Sequence, residues 1–227
     1  MNLESQINRI GNKMIACRQR CPGIVLELKE GILPRCLVLE NGQRKERGVV
    51  IVGINPAESN SKERNYYADN RQTYKSAVKY WQDHISKGYH KHYTPLRRIL
   101  KVLGFDGPTL WTELVKCENA TAHKGMPLDQ TFDTCIELYL REELSSVPND
   151  WSLIAIGKKA YKQLASRFPE CTIIGVPHPA YGHLERALKS KKQWLPTVKE
   201  HIKGVRSEKW NKSVWILNLV SGKSYDP

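Results

Sequence analysis

Two short polar segments hold the residues of this sequence that are best suited to chemistry. The first, GINPAES at 53–59, follows the apolar run VVIV, and the second, PHPAYG at 177–182, follows the run TIIGV. Amides, carboxylates and imidazoles are rarely found in an apolar core, whereas a ligand can hydrogen-bond to the side chains of Asn55, Glu58 and His178. Asn-Pro is also an ordinary turn initiator, and Asn55 could cap a helix. The joint occurrence of the two segments predicts a binding or catalytic site.

Apolar runs and helical periodicity place both segments at the ends of strands. We expect strands at 49–52, 109–115, 153–156 and 172–176, and helices at 4–18, 95–103, 129–146 and 158–167. This alternation is typical of an α/β fold, and we expect a three-layer α/β/α sandwich around a central, mainly parallel, four-stranded sheet. In such sheets ligands bind beyond the carboxyl ends of the strands. The two polar segments are therefore expected to face each other across one cleft.

Length and composition favour a single domain. The chain has 227 residues, of which 40% are hydrophobic, and this suits one globular domain better than two full cores. We expect the domain to span 1–206, with 60–94 as an insertion or lid, because that segment is rich in Tyr, Lys, Arg and His. Residues 207–227 are expected to form a C-terminal tail, whose apolar patch could add an edge strand.

The charge of the chain indicates a polyanionic partner. Lys and Arg number 36 while Asp and Glu number 23, which gives a formal net charge of +13. Nucleic acid is the commonest partner of such a protein, although a basic protein need not bind one. The N-terminus has no uninterrupted apolar segment, and the longest apolar runs are far too short to span a bilayer. We therefore expect a soluble, cytoplasmic monomer that binds DNA and no membrane.

Four segments together resemble the uracil-DNA glycosylase superfamily. GINP and PHPAYG are similar to its two active-site motifs, TELVKC at 112–117 resembles a strand of its iron-sulfur branches, and LIAIGKKAYKQL at 153–164 resembles its penultimate strand and helix. GINP is most similar to the mismatch-specific branch, while the cysteines resemble the iron-sulfur branches. The resemblance runs from about Ile10 to Gly204, apart from the 60–94 segment. It implies a DNA glycosylase that flips its target base out of the duplex.

The resemblance also implies roles for the polar side chains. Breaking an N-glycosidic bond leaves positive charge on the sugar and negative charge on the base, so the site must position a water molecule and stabilise an anion. By resemblance, Asn55 orients the attacking water, His178 donates a hydrogen bond to the pyrimidine O2, and Glu58 is a second water-positioning group. Because no lysine is well placed as a nucleophile, we expect a monofunctional enzyme that leaves an abasic site. The alternative is a DNA-binding protein that has this fold and no turnover.

Glu113 stands where the uracil-excising relatives carry Asn. An ionised carboxylate has only acceptors, so it would oppose O4 of uracil but accept from the N4 amino group of cytosine. Ala57 is small enough to leave room for a substituent at C5 of the base. Because a glycosylase for ordinary cytosine would destroy its own genome, we expect a modified cytosine, as in phage DNA, and a role in defence against phage. The alternatives are that Glu113 faces elsewhere or is protonated, and that the enzyme is a conventional uracil-DNA glycosylase of base excision repair.

The six cysteines are expected to be reduced or to bind a metal, since no secretory signal precedes them. Cys17, Cys21, Cys117 and Cys135 fall where the iron-sulfur branches place their ligands, although the first pair is C-x3-C rather than the usual C-x2-C. By resemblance these four hold a four-iron four-sulfur cluster. Zinc and four free thiols are the alternatives.

The loop after His178 supplies candidates for DNA contacts. Tyr181 and Leu184 are expected to insert between bases, and Arg186 is expected to bind a phosphate. Ser59, at the end of the first polar segment, is assigned to the same DNA-binding set. These contacts would hold the duplex while the target nucleotide is flipped.

The 60–94 segment supplies aromatic candidates. Tyr66 or Tyr67 is expected to stack on the extruded base. The nearby residues His84, His90 and His92 are interpreted as a basic, solvated face rather than a metal site.

Overall fold

The structure, a computed structural model, describes residues 2–42, 47–70, 72–120, 127–202 and 213–216. Its strands are β1 (Val38–Glu40), β2 (Val49–Gly53), β3 (Thr109–Glu113), β4 (Ser152–Ile156), β5 (Ile173–Val176) and β6 (Ser213–Trp215). Within the described ranges these six strands form one sheet in the order β1-β3-β2-β4-β5-β6. β2 runs parallel to β4, β4 to β5, and β5 to β6. The sheet is therefore mainly parallel.

Helices connect the strands. They are α1 (Leu3–Ile15), α2 (Ser61–Asp69), α3 (Tyr74–Tyr80), α4 (Tyr93–Leu103), α5 (Asp129–Cys135), α6 (Arg141–Ser146), α7 (Lys158–Arg167), α8 (His183–Lys189) and α9 (Lys191–Ile202). A π-helical turn, Trp81–Ile85, extends α3, and another, Ile136–Leu140, joins α5 to α6. None of the described helices is long and apolar enough to cross a membrane.

Local sequence signals explain where several elements begin and end. The side chain of Asn60 accepts a hydrogen bond from the Glu63 amide at the start of α2, and Thr73 forms a capping box at the start of α3. The α4 helix ends at Leu103 and is capped by Gly104, which has the left-handed conformation that glycine adopts without strain. The strands β2 and β4 are buried along their whole length, as expected for continuous β-branched and aliphatic runs in a parallel sheet.

The predicted α/β sandwich with a mainly parallel sheet is confirmed, but the sheet has six strands rather than four. The four predicted strands correspond to β2 to β5. The added strand β1 has only three residues, too few for an alternating or apolar run to stand out in the sequence. The added strand β6 comes from the C-terminal tail and lies next to β5 at the sheet edge, as the apolar patch of the tail suggested.

Internal packing divides the chain into two compact units. The first comprises 1–39, 53–88 and 111–149, and the second comprises 40–52, 89–110 and 150–227. In the first unit, α1 buries Ile7, Ile10 and Met14. In the second, α4 buries Leu96 and Ile99. The prediction of one domain over 1–206 with a tail over 207–227 stays a prediction.

The predicted insertion is a folded part of the first unit as far as residue 88. Its core side chains are Tyr67, Tyr74, Tyr80 and Trp81, each at most 6% exposed. The ring of Tyr74 lies against Gly11 of α1, where a Cβ atom would come within 2.3 Å of the ring. Glycine at position 11 therefore permits the close approach of α1 and α3, and the buried tyrosines Tyr67, Tyr74 and Tyr80 serve packing.

Candidate functional site

The first polar segment leaves the sheet at Gly53, the last residue of β2. The side chain of Asn55 is half-buried, and its Nδ2 donates a hydrogen bond to the carbonyl of Pro56 at 3.1 Å. This local bond leaves Oδ1 of Asn55 as an acceptor without a partner among the described residues. An amide oxygen held in this way can accept a hydrogen bond from a water molecule.

A buried arginine anchors the loop that follows Asn55. Arg35, 5% exposed, donates a hydrogen bond from Nη2 to the carbonyl of Ala57. Its Nε lies 3.0 Å from Glu63, and its Nη2 lies 3.5 Å from Glu118. These carboxylates raise the pKa of Arg35 and outweigh the effect of burial. A charged network therefore anchors the loop carrying Asn55.

Ser59 belongs to this network, and its predicted contact with DNA does not agree with its position. Its amide and its hydroxyl both donate to the carboxylate of Glu118, at 2.6 and 2.9 Å, and the residue is 4% exposed. Arg64 also donates to the Ser59 hydroxyl, at 3.0 Å. Since both donors of Ser59 point at a buried carboxylate, the residue closes the loop onto Glu118 rather than offering a donor to phosphate.

Glu58 and Ala57 lie at the surface of the loop. The side chain of Glu58 is 75% exposed, and its only described ion pair is a 3.4 Å contact with Arg64. Such an exposed pair contributes little to stability, so the carboxylate is free to turn. The role of Glu58 as a second water-positioning group stays a prediction, as does the steric role of the exposed methyl group of Ala57.

The carboxyl group of Glu113 is packed against the backbone of Gly53. A Cβ atom at position 53 would clash with Oε2 of Glu113, so glycine at 53 permits the carboxyl group to occupy this position. Oε2 is buried and has no hydrogen-bond partner within the described part of the chain. Burial raises the pKa of Glu113 to about 8, although Lys116 and Arg35 act in the opposite direction. The carboxyl group is therefore largely protonated at neutral pH.

Lys116 does not neutralise Glu113, because its ammonium group is held elsewhere. Its Nζ donates to Thr112 and to the backbone carbonyl of Glu113, both at 2.6 Å, and forms an ion pair with Glu143 at 2.8 Å. Lys116 and Glu143 are both fully buried. The lysine is thus committed to Glu143 and to the end of β3, while Oε1 of Glu143 has an ion-pair contact and no hydrogen bond among the described residues.

The second polar segment follows β5 in the other unit. The amide of Ala180 donates to Nδ1 of His178 at 3.2 Å, so in the neutral ring Nε2 carries the proton, and this N–H has no acceptor among the described residues. Partial burial lowers the pKa of His178, which favours this neutral form. Gly157 forms the turn after β4 and has a positive φ of 86°. A Cβ atom at this position would lie 3.8 Å from Cβ of His178, so the turn passes close to the histidine. A neutral imidazole with a free N–H suits a group that stabilises a leaving anion.

His92 packs against His178, which corrects its interpretation as part of a solvated face. The two ring centroids are 5.1 Å apart. Burial, followed by the neighbouring His178 and His90, lowers the pKa of His92 to about 4. His90 is also half-buried, and its Nδ1 accepts from the amide of His92 at 3.2 Å. His92 is therefore a neutral neighbour of the candidate catalytic histidine.

The predicted DNA wedge is only partly accessible. Leu184 is completely buried on α8, so it packs in the core and its predicted insertion between bases does not agree with its position. Tyr181 lies in the turn Ala180–Gly182, and its side chain is outside the part that the structure describes. Arg186 is exposed and hydrogen-bonds with Nδ1 of His183 at 2.6 Å. Phosphate binding by Arg186 stays a prediction.

The two candidate stacking tyrosines differ in burial. Tyr67 is 3% exposed, and burial raises the pKa of its hydroxyl, so it is a core residue rather than a platform for a base. Tyr66 is half-buried, with its ring edge-on to Tyr67 at 5.6 Å and 5.1 Å from Tyr80. Stacking on an extruded base stays a prediction for Tyr66 alone. The sequence could not show which of the two tyrosines is buried, because they are adjacent and chemically identical.

The four candidate cysteine ligands are neighbours within the first unit. Cys117 and Cys135 are buried, and Cys17 and Cys21 are half-buried. Burial raises the pKa of Cys117, and Cys135, Cys17 and Cys21 each raise it further. Across the described ranges, however, no three His, Cys, Asp or Glu side chains are positioned to hold a metal ion. Four thiols are the right donor type for an iron-sulfur cluster or a zinc ion. Their side chains are not arranged around a common point in this structure, so the cluster stays a prediction.

Sequence reasoning missed Arg35, Glu118 and His92. Glu118 had a partial signal, because it lies three positions after the predicted strand at 109–115, and a charged residue so close to a buried strand is buried only with a partner. Arg35 also had a signal, because it is the one charged residue in the apolar stretch ILPRCLVL at 32–39. His92 had none, since it stands among polar residues. The two polar segments lie in different units, and their meeting in one cleft stays a prediction.

Comparison with known families gives one finding. Residues 40–200 match the family model of the uracil DNA glycosylase superfamily. The matched range contains both polar segments and Glu113. No curated protein matches the chain.

Proposed function

The chain belongs to the uracil DNA glycosylase superfamily, and we propose that it is a monofunctional DNA glycosylase that releases a non-standard pyrimidine and leaves an abasic site. The observation that carries this proposal is the family match over 40–200, which includes Asn55, Glu113 and His178. Membership itself indicates DNA glycosylase activity and a DNA substrate in general terms. The net charge of +13 supports binding to a polyanion.

The proposed reaction is a hydrolysis without a covalent enzyme intermediate. A water oxygen bonds to C1′ of the deoxyribose while the C1′–N1 bond breaks, and the bonding electrons leave with the base. The proton lost by the water passes to solvent, and the released base takes up a proton from solvent. Asn55 accepts from the water through Oδ1, and His178 donates from Nε2 to O2 of the base, where negative charge develops. The neutral tautomer of His178 supports this role.

The proposed substrate is a cytosine-type base with a substituent. Glu113 replaces the amide of the uracil-excising relatives, and its carboxyl oxygen can accept from an N4 amino group. Each mispaired polar contact in a dry pocket costs on the order of 1–3 kcal/mol, or roughly one to two powers of ten in rate. An enzyme that removed unmodified cytosine would damage the genome of its own host. The proposed substrate is therefore a modified cytosine, and the proposed setting is defence against phage with modified DNA.

Uracil is the second candidate substrate, and one observation favours it. The raised pKa of Glu113, about 8, makes the side chain a neutral acid at pH 7, and such an acid can donate to O4 of uracil. A conventional role in base excision repair would follow. The two substrates differ at position four of the base, where cytosine carries a donor and uracil an acceptor.

A panel of matched oligonucleotides tests the proposal. Each duplex carries one uracil, cytosine, 5-methylcytosine or 5-hydroxymethylcytosine, and glucosylated phage DNA is added as a fifth substrate. After incubation, alkali cleaves the strand at abasic sites. We expect the strongest cleavage at substituted cytosines. Cleavage of uracil alone would identify a conventional uracil-DNA glycosylase, and binding of all substrates without cleavage would leave a non-catalytic DNA-binding protein.

A four-thiolate iron-sulfur centre is the proposed cofactor, held by Cys17, Cys21, Cys117 and Cys135. When bound, it would cross-link the N-terminal segment to the regions after β3 and in α5. We expect purified protein to be brown and to contain iron, and Cys117→Ser to lower the iron content severalfold together with the melting temperature, because one of four ligands is lost.

Elemental analysis and the visible absorption spectrum measure this effect. Cys171→Ser is the matched control, because Cys171 is a half-buried thiol outside the four. It should leave the iron content unchanged. Colourless, fully active protein that contains neither iron nor zinc would remove the cofactor from the proposal.

A further inference from the structure

An exposed tyrosine stands on the segment that packs against the candidate catalytic histidine. Tyr89 is 80% exposed, and it comes three residues before His92, whose ring contacts His178. We propose that Tyr89 inserts into the gap that the flipped nucleotide leaves in the duplex and stacks on the neighbouring base, while Lys91 binds an adjacent phosphate. This inference rests on the proposed glycosylase function. It assigns the DNA contact to the 60–94 segment, to which the superfamily resemblance does not extend.

The described side chains offer few groups that could fill such a gap. An enzyme that flips a nucleotide commonly inserts an apolar or aromatic side chain into the base stack. Leu184 is buried and cannot do so. Among the described residues, the large hydrophobic side chains that are exposed are Tyr89 and Leu128. Leu128 belongs to the first unit, whereas Tyr89 belongs to the second unit together with His178.

The chain places Tyr89 within reach of bases next to the target. The ring centroids of His92 and His178 are 5.1 Å apart. Three residues of chain span at most about 11 Å, so the backbone of Tyr89 lies no farther than that from the backbone of His92. Successive bases of one strand are about 3.4 Å apart. A base that contacts His178 therefore leaves neighbours within the range of the tyrosine ring.

Hydrogen bonds and ring contacts fix the backbone next to Tyr89. The amide of His90 donates to Oγ1 of Thr94 at 2.8 Å, and the carbonyl of His90 accepts from the Thr94 amide at 2.9 Å. The rings of His90 and His92 each lie 4.8 Å from the ring of Tyr93. A side chain on a fixed backbone loses less conformational entropy on binding than one on a mobile loop. The segment thus holds the tyrosine ring ready for a partner.

A lysine beside Tyr89 gives this surface its charge. Lys91 is exposed and has no ion pair within the described part of the chain. Burial, followed by Arg97 and Lys91, lowers the pKa of His90, so that histidine is neutral near pH 7. A single exposed tyrosine is common on protein surfaces. An exposed tyrosine that stands beside such a lysine and next to the contact with His178 combines base stacking with phosphate binding, as sites for nucleic acid do.

Removal of the ring should slow base release. Tyr89→Ala should lower the single-turnover rate on duplexes that carry 5-hydroxymethylcytosine or uracil by on the order of tenfold, because one aromatic–base stack contributes about five- to 150-fold. Tyr89→Phe keeps the ring and should keep the rate. Both variants should fold normally, since the side chain is exposed, and thermal melting checks this.

Leu128→Ala is the matched control for the loss of an exposed apolar side chain, and it should leave the rate unchanged. An unchanged rate in Tyr89→Ala would refute the insertion. A loss in Tyr89→Phe equal to that in Tyr89→Ala would refute it as well, because the hydroxyl rather than the ring would then make the contact.

The role of Lys91 is tested through the salt dependence of binding. Lys91→Ala should weaken binding to every duplex alike and reduce the slope of log K against log salt concentration by about 1, as expected for the loss of one phosphate contact. Lys79→Ala is the control, because Lys79 is an exposed lysine of the first unit that pairs with Asp83 at 2.7 Å. Equal slopes for Lys91→Ala and the unmodified protein would remove Lys91 from the DNA interface.

A further measurement does not depend on catalysis. The probe is a duplex with a tetrahydrofuran abasic-site analogue and 2-aminopurine as the next base, in which no bond is broken. Insertion of the ring should change the 2-aminopurine fluorescence when the unmodified protein or Tyr89→Phe is bound at saturation, and much less when Tyr89→Ala is bound. An equal change with Tyr89→Ala means that the inference fails, even if the protein is an active glycosylase. A change that requires the ring, in a protein that cleaves no base, means that the proposed function fails while the DNA contact stands.

Discussion

Asn55→Ala should lower the rate of base release by about 10²–10³-fold, the range seen when one positioning or charge-stabilising group is removed from an active site. The reason is geometric. Asn55 Nδ2 is tied to the carbonyl of Pro56, which leaves Oδ1 as the acceptor for the attacking water. Binding should change little, because Asn55 acts on the water and not on the phosphates. Single-turnover cleavage and the dissociation constant for the same duplex measure the two quantities separately.

Asn60→Ala is the matched control for this variant. Asn60 is an exposed asparagine five residues further on, and its side chain caps α2 by accepting from the Glu63 amide at 3.0 Å. Its loss should cost about 1 kcal/mol of stability and leave the cleavage rate nearly unchanged. If Asn55→Ala weakens DNA binding as much as it slows cleavage, Asn55 is a binding residue and the proposed mechanism is wrong.

Arg35→Met should lower the free energy of unfolding by about 3–5 kcal/mol, because it leaves partners of a buried ion pair uncompensated. Glu118 is 1% exposed, and Glu63 is largely buried, so neither carboxylate can regain water without opening the loop. The variant also removes the donor to the carbonyl of Ala57. We expect slower cleavage in the fraction that remains folded. Urea unfolding followed by circular dichroism gives the change in stability.

Arg64→Met separates this effect from the simple loss of a positive charge. Arg64 also contacts the loop, through Ser59 and Glu58, but its side chain is 31% exposed and its carboxylate partner is 75% exposed. Its replacement should cost less than about 1 kcal/mol. Equal losses for the two variants would show that the buried network around Arg35 does not hold the loop.

Residues within the candidate site differ in how far sequence could place them. Asn55 and His178 each follow an apolar run directly, so strand periodicity alone located them at strand ends. Ser59 ends the first segment and Leu184 follows the second by two residues, yet both are buried. Exposure within a loop depends on which groups pack against it, and for Ser59 that group is Glu118, which is 59 positions away in the chain. A linear pattern does not contain such a pairing.

The sequence by itself determined the α/β class, the four inner strands β2 to β5, and the superfamily, because continuous β-branched runs and short motifs are local properties. Only the tertiary structure decided the protonation of Glu113, the anchoring of the loop by Arg35, and the contact of His92 with His178. The physical reason is that burial and partner charges set a pKa and the strength of an ion pair. Both arise from residues that are distant in sequence and meet only when the chain folds.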